Sequence, residues 1–259
     1  MKIEDLNPLE IKDLPPDQIV TVIFFSFRRP MSLKKTIDGF LQSTSFKGLW
    51  LIIMDCASTP ETSSYITSIM PHCGAVFMTP TGYGLGRAMK IAINYTMGNH
   101  IVFLDDDLTF IVGPDDPYIE EGIDILQSFP DRLCSINLVS LCFYNHIGDP
   151  PTYGDKLITP KGTTGYIFQD KYNYKTHDLH LIPMHFMKEW IPKLTSELPE
   201  NEFKGFFIDK EIGSLDRPDH GVVHPIHPKD FSEYETARAI PGIRKVFVSF
   251  SMGFNICKD

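Results

Sequence analysis

Three consecutive carboxylates, Asp105, Asp106 and Asp107, are the residues of this sequence most suited to metal chemistry. They directly follow the apolar run 101–104, which predicts a buried strand. On a tight turn after a strand, the first and third carboxylates can both reach one hard cation, and oxygen ligands suit Mg²⁺ or Mn²⁺. The alternative is an acidic turn in which an aspartate caps a helix. The position after a strand, a Gly-rich turn and a helix favours the metal site.

Polar residues also end the other long apolar runs of the first half. The run 19–27 is followed by Arg28 and Arg29, and the run 49–54 is followed by Asp55. In parallel sheets, ligands bind beyond the carboxyl ends of the strands. We therefore expect these side chains to line one crevice together with the acidic triplet.

Helical patterns separate these strands. Ser32 is predicted to cap a first helix with one apolar face, Thr59 and Pro60 open a second, and a third runs from about residue 87 to 97. The third follows a short strand at residues 75–78 and a glycine-rich turn. Alternating strands and helices are typical of an α/β fold with a mostly parallel sheet flanked by helices.

The second half has weaker patterns. We predict a strand at residues 132–143, a loop or irregular hairpin at 149–174 and a strand followed by a short helix at 181–194. A helix could continue from Asp209 through Leu215, and residues 245–252 are apolar and β-rich.

Composition is typical of one globular domain. The chain has 259 residues, of which 42% are hydrophobic, and no apolar run approaches the length of a membrane span. The formal net charge of −9 argues against broad attraction to nucleic acid or anionic membrane. The five cysteines indicate neither a disulfide framework nor a zinc site. No signal peptide is recognisable at the N-terminus, so a cytoplasmic location without membrane insertion is expected.

Four segments together resemble a known family. The segments 22–29, 52–58, 84–92 and 101–107 match, in order, the opening strand, the second strand, the Gly-x-Gly helix start and the Asp-x-Asp strand of family 2 glycosyltransferases. The resemblance implies a single domain with the GT-A (Rossmann-like) fold. Its nucleotide-sugar-binding half would span about residues 19–110. Its acceptor-binding half, with a small β region, would span about 111–259.

The resemblance also implies roles for individual residues. Asp55 would hold the nucleobase, Asp105 the ribose and metal, and Asp107 would be the direct metal ligand. Arg87 lies at a helix start, where the dipole favours phosphate. The residues implied to contact the nucleotide sugar are Ser26, Arg28, Asp55, Gly84, Arg87, Asp105 and Asp106.

The second half is expected to supply a general base and a further metal ligand. Residues 206–213 resemble the acidic motif of inverting members, with Ile208 in place of the usual first acid. Asp209 is the first candidate to deprotonate the acceptor and Glu211 the second, and a solvated helix start is the alternative interpretation. His224 is the preferred C-terminal histidine to complete the metal shell of Asp105 and Asp107.

The predicted function is Mn²⁺- or Mg²⁺-dependent glycosyl transfer from a nucleotide-sugar donor to an acceptor hydroxyl, with inversion. UDP is the default nucleotide by resemblance, and the acceptor could be a glycan, a protein or a modified nucleic-acid base. A nucleotidylyltransferase is the enzyme alternative, although its Gly-rich loop would normally follow the first strand. A non-catalytic nucleotide- or carbohydrate-binding module on the same scaffold is the third reading.

Overall fold

The computed structural model of the protein describes residues 1–82, 84–106, 108–111, 116–138, 153–168, 180–195, 202, 211–216 and 221–223. In this part of the chain, a nine-stranded sheet forms the centre and a two-stranded sheet lies beside it. The strand order in the large sheet is β3 (Ala75–Met78), β2 (Leu49–Asp55), β1 (Val20–Ser26), β4 (His100–Asp105), β9 (His180–Pro183), β6 (Leu133–Asn137), β10 (Glu211–Leu215), β8 (Thr164–Phe168) and β7 (Tyr153–Ile158). In the small sheet, β11 (Gly221–Val223) pairs with β5 (Thr109–Ile111).

The first half contributes four parallel strands, as predicted. The side chains of β1, β2 and β4 are almost continuously apolar and buried because helices cover both faces of the sheet, whereas those of β3 at the edge are partly exposed. The strands are β1 (Val20–Ser26), β2 (Leu49–Asp55), β3 (Ala75–Met78) and β4 (His100–Asp105).

The second half extends the same sheet beyond β4. The strand β9 pairs antiparallel with both β4 and β6, and β8 pairs antiparallel with β10 and β7, so β8 and β9 run against the other strands. The strands are β5 (Thr109–Ile111), β6 (Leu133–Asn137), β7 (Tyr153–Ile158), β8 (Thr164–Phe168), β9 (His180–Pro183), β10 (Glu211–Leu215) and β11 (Gly221–Val223).

Short helices connect the strands. The helix α2 begins at Pro30 with Arg29 as its N-cap, so Ser32 lies inside the first turn and the predicted Ser32 cap is wrong. The Thr59 hydroxyl caps α3 as predicted, by accepting from the Thr62 N–H. The α-helices are α1 (Pro8–Ile11), α2 (Pro30–Ser43), α3 (Pro60–Ile69), α4 (Leu85–Ala92), α5 (Tyr118–Ser128) and α6 (Met184–Trp190).

The helix predicted from Asp209 through Leu215 is wrong in its described part. Residues Glu211–Leu215 form β10, which pairs parallel with β6 and antiparallel with β8. The segment lies between two neighbouring strands of the sheet, and these partners lie far away in the sequence. The predicted hairpin is confirmed as β7 and β8, and the predicted strand and short helix as β9 and α6.

Two apolar layers enclose the large sheet. One layer packs the predicted apolar face of α2 against β1, with Leu33, Ile37 and Leu41 fully buried. The other packs α4 and α6 against the opposite face of the same strands. Within the described part of the chain, none of the helices combines the length and the apolar character required to cross a bilayer.

Gly98 lies in the connection from α4 to β4, where the chain passes close to Ile19. Its φ is +79°, and a Cβ there would lie 2.1 Å from the Ile19 carbonyl oxygen. Gly162 has a φ of +88°, and nothing lies within 4 Å of a Cβ at that position.

We expect Gly98→Ala to lower the free energy of unfolding by about 3 kcal/mol and Gly162→Ala by about 1 kcal/mol. Urea unfolding of both variants measures the difference, and equal losses would contradict the close approach.

Candidate functional site

The candidate site lies between β1 and β4, where the strand order of the sheet reverses. From β1 the chain proceeds outward to β2 and β3, and it then returns to place β4 on the other side of β1. Such a switch point opens a crevice at the carboxyl ends of the strands. The ends of β1 and β4 are level there, since Phe25 pairs with Asp105, and Ser26 pairs with Asp55 of β2. The convergence expected from the sequence is therefore found for the strand ends at Asp55 and Asp105, and Ser26 lies between them at the end of β1.

Asp106 joins β1 and β4 directly at this point. One carboxylate oxygen accepts from the Ser26 hydroxyl at 3.0 Å and from the Phe27 backbone N–H at 3.0 Å. The other oxygen forms an ion pair with Arg29. Asp106 is only 1% exposed and Arg29 only 7%. The middle carboxylate of the triplet therefore binds to the protein's own first strand and its following turn.

Asp105 lies at the end of β4 and is 5% exposed. Its oxygens suit a hard cation, as do those of the neighbouring Asp107, but Asp107 lies outside the described residues. The carboxylate oxygens of Asp105 are thus of the donor type that suits Mg²⁺ or Mn²⁺. Within the described residues, no three His, Cys, Asp or Glu side chains form a group that could hold a metal.

Asp55 ends β2 as a buried carboxylate with no exposed surface. Neither of its oxygens has a hydrogen-bond partner of standard geometry among the described residues. Burial raises its pKa from the ordinary 3.8 to about 6, and weak hydrogen bonds from the Ser58 hydroxyl and the Arg28 backbone N–H, together with the Arg28 charge, counteract part of this rise. A buried carboxylate with only weak hydrogen bonds is costly, so this carboxylate is suited to receive a donor group from a ligand.

Backbone hydrogen bonds connect the strand ends around Asp55. The Cys56 N–H donates to the Ser26 carbonyl at 2.9 Å, and the Thr79 N–H donates to the Asp55 carbonyl at 3.1 Å. The Ser58 N–H in turn donates to the Thr79 carbonyl at 2.7 Å. Burial raises the pKa of the Cys56 thiol to about 12, so it stays protonated. The floor of the crevice is thus a network of main-chain bonds.

The glycine-rich turn approaches this floor from the end of β3. A Cβ on Gly82 would lie 3.1 Å from the Cys56 carbonyl oxygen and 3.2 Å from the Phe27 ring. Gly84, with a φ of +72°, is the N-cap of α4, which begins two residues earlier than predicted. Arg87 is exposed in the first turn of α4. This arrangement brings Gly84 and Arg87 to the same edge of the sheet as Asp55.

Arg28 adopts the left-handed backbone conformation, with a φ of +58°. Its guanidinium lies 5.5 Å from the centre of the Phe27 ring, and its Nε donates to the Ala57 carbonyl at 3.2 Å. This side chain therefore extends from the end of β1 across to the loop after β2. A strained, charged residue at that position is typical of a functional site.

Glu211 lies away from this crevice. It pairs with Leu133 at the amino ends of β10 and β6, the edge opposite to Asp55 and Asp105. There its carboxylate forms an ion pair with Arg132, which also binds Asp155 at 2.6 Å. The base predicted as second choice is therefore not in the crevice. Asp209 and His224, like Asp107, lie outside the described residues.

Thr36 also belongs to this region, although no pattern in the sequence predicts it. Its hydroxyl, in α2, both donates to the Leu108 carbonyl and accepts from the Leu108 N–H, each at 3.0 Å. Leu108 is the residue after the acidic triplet. A single threonine on a helix carries no sequence signal of such a contact.

Comparison with known families agrees with this geometry. Residues 21–121 match the model of glycosyl transferase family 2. The match confirms the resemblance seen in the sequence, and it covers β1 through the first turn of α5. No curated protein matches this sequence.

Solved structures support the fold over a longer part of the chain. S. aureus TarS in complex with UDP aligns over 84% of this chain and 62% of its own, with 13% identity and a TM-score of 0.57. A second S. aureus TarS structure aligns over 85% of this chain and 39% of its own, with 12% identity and a TM-score of 0.56. The protein thus has the GT-A fold of glycosyltransferases, and it spans less than two thirds of the TarS chains that it matches.

A more distant structure contains a metal. The mannosyltransferase PcManGT from Pyrobaculum calidifontis, in complex with GDP-Man and Mn²⁺, aligns over 49% of this chain and 38% of its own. Its identity is 19% and its TM-score is 0.40, so this similarity carries no inference about the present site.

The burial of the Asp55 carboxylate leads to a prediction about how stability depends on pH. With a folded pKa of about 6, Asp55 favours folding below pH 3.8, and that contribution is lost as the pH rises through 6. Asp55→Asn removes the charge. The free energy of unfolding of this variant, measured relative to that of the wild type, should therefore rise by about 2 kcal/mol from pH 4.5 to pH 7.5. Urea unfolding at both pH values measures this gain.

The matched control is Asp13→Asn, which removes an exposed carboxylate. We expect this control to change the free energy of unfolding by less than about 0.5 kcal/mol at either pH. A difference between Asp55→Asn and wild type that is the same at both pH values would contradict a buried charged carboxylate.

Proposed function

We propose that this protein transfers a sugar from a UDP-sugar donor to an acceptor hydroxyl in a reaction that depends on Mn²⁺ or Mg²⁺. The family 2 match over residues 21–121 supports a glycosyltransferase. The crevice between β1 and β4 supports a nucleotide site at the position where α/β sheets bind their ligands.

The observation that carries the proposal is the buried Asp55 carboxylate, whose oxygens make no hydrogen bond of standard geometry among the described residues. An acceptor placed at the end of β2 suits a base with an N–H donor on its ring, such as uracil. A base that donated to this carboxylate would relieve the cost of its burial. Arg28 and Ser26 lie on the adjacent strand end, where they are proposed to contact the rest of the nucleoside.

The diphosphate is proposed to lie between the acidic turn and the start of α4. Asp105 and Asp107 would hold the cation, with His224 as a further ligand, and the bound cation would neutralise charge on the leaving nucleotide. Arg87 and the backbone around Gly84 are placed at the helix start, where positive charge and N–H groups favour phosphate. UDP in a TarS structure makes UDP the first nucleotide to test.

The part of the chain after about residue 110 is proposed to bind the acceptor. A base in this part of the chain is proposed to deprotonate the acceptor hydroxyl as it attacks the anomeric carbon, with inversion. Asp209 is the candidate that the resemblance implies, but Glu211, two residues later, lies at the edge opposite to the crevice, and this position argues against Asp209. This assignment depends on the resemblance of residues 206–213. The acceptor classes remain a glycan, a protein or a modified nucleic-acid base.

Calorimetric titration tests the donor site. UDP, GDP and dTDP are titrated into the protein with Mn²⁺ and again with EDTA, and we expect UDP to bind at least 10-fold more weakly without the metal. Asp107→Ala should bind UDP with Mn²⁺ no more tightly than the wild type does in EDTA. The exposed Asp13→Ala is the matched control and should bind as the wild type does. Binding that is unaffected by EDTA would refute metal dependence, and binding of none of the nucleotides would refute the transferase.

A second test separates the base from the donor site. If Asp209 is the base, Asp209→Asn should retain the affinity for UDP and lower the rate of sugar transfer by at least about 100-fold, because the acceptor hydroxyl is no longer deprotonated. Glu211→Gln changes an acid two residues away on the opposite edge and should retain transfer. Donor hydrolysis or transfer to a panel of acceptors provides the rate. Equal losses in both variants would contradict the assignment of Asp209.

A further inference from the structure

The acidic turn is held from both sides by the β1–α2 unit. Before Asp107 in the chain, Asp106 binds Ser26, the Phe27 N–H and Arg29. After it, Leu108 is bound through both of its backbone polar groups by the Thr36 hydroxyl. Asp107 is therefore flanked by two residues whose positions are set by one strand and the helix that follows it.

The contact at Thr36 is buried and continues along α2. Thr36 and Leu108 are each 1% exposed. One turn further along the helix, Phe40 packs edge-on against Phe110 at 5.6 Å between ring centres, and a Cβ on Gly39 would lie 3.3 Å from the same ring. Thr36, Gly39 and Phe40 share one helix face by their spacing. This face follows the chain from Leu108 into β5.

We propose that Thr36 and Asp106 are positioning residues, which hold the acidic turn so that Asp105 and Asp107 bind the cation together. This inference rests on the proposed metal-dependent donor site. Neither residue needs to touch the donor. The Asp106 carboxylate already binds Ser26, Phe27 and Arg29, which favours this role over the nucleotide-sugar contact expected from the resemblance.

Thr36 gives a cleaner test than Asp106. Removing the Asp106 carboxylate would leave the buried Arg29 without its counter-charge, and the resulting loss of stability would obscure any effect on binding. Thr36→Val keeps the shape of the side chain and removes only its hydroxyl. Thr36→Ser keeps the hydroxyl and removes only a methyl group.

The chain contains a matched control at the other edge of the sheet. The Thr21 hydroxyl donates to the Met97 carbonyl at 2.6 Å and accepts from the Met97 N–H at 2.9 Å. Thr21 is fully buried near the start of β1. It therefore repeats the bonds of Thr36 away from the acidic turn, and Thr21→Val should reproduce the loss of stability without the loss of metal binding.

The experiment measures the affinity for UDP by calorimetry, with Mn²⁺ and with EDTA, for the full chain and these three variants. Thermal unfolding is recorded for each, so that binding is compared well below every midpoint. We expect Thr36→Val to bind UDP about 10-fold more weakly with Mn²⁺ and equally well with EDTA, because an unsupported ligand loses affinity for its metal. Thr36→Ser and Thr21→Val should bind within about 2-fold of the wild type in both conditions, well inside that effect.

Two results would overturn the inference while the proposed function stands. One is an equal affinity of Thr36→Val and Thr21→Val for UDP with Mn²⁺. The other is an equal loss for Thr36→Val with and without the metal, which would indicate a general distortion of the crevice. If the wild type itself shows no metal-dependent binding of UDP, the proposed function fails and the inference fails with it.

Discussion

The crevice depends on one buried carboxylate, Asp106, at the point where β1 and β4 separate. Two charged groups at 1% and 7% exposure lose much of their hydration, and their attraction often no more than repays that loss. The ion pair of Asp106 with Arg29 is therefore better explained by its effect on the geometry of the crevice than by a contribution to the stability of the fold. It fixes the end of β4 against the end of β1 and against the first turn of α2. The chain between them then has little freedom in placing the neighbouring carboxylates.

Asp55 and Asp106 are both buried aspartates at the same edge of the sheet, yet their surroundings differ. Asp106 is bonded to a hydroxyl, an N–H and a guanidinium. Asp55 makes no hydrogen bond of standard geometry among the described residues and has only the Ser58 hydroxyl and the Arg28 backbone N–H nearby, and burial raises its pKa to about 6. A carboxylate whose bonds are supplied by the protein serves the protein's own geometry. One that is left without them reduces stability, and such a cost is tolerated where a ligand supplies the missing donor.

The sequence predicted the strand ends well because buried parallel strands are continuous apolar runs that stop abruptly at polar residues. Asp55 and Asp105 were placed correctly for this reason. The strand Glu211–Leu215 was predicted as a helix because a short apolar segment carries no decisive period, and its pairing with β6 and β8 is set by distant residues. The hydrogen bonds of Asp106 could not be predicted from the sequence either, since its partners lie about 80 residues earlier in the chain. The sequence shows which side chains lie at the end of a strand. It does not show which of them bond to other residues of the protein and which are left for a ligand.

The paired threonines show why contact type alone does not reveal function. Thr21 and Thr36 make the same two bonds to a backbone carbonyl and N–H, and both are buried. They differ in which loop they hold. The first holds a connection at the amino ends of the strands, where the loop only has to close, and the second holds the chain next to the acidic turn at the carboxyl ends. A parallel sheet places its ligand at one edge only, so identical bonds contribute to stability at one edge and to the precision of the site at the other.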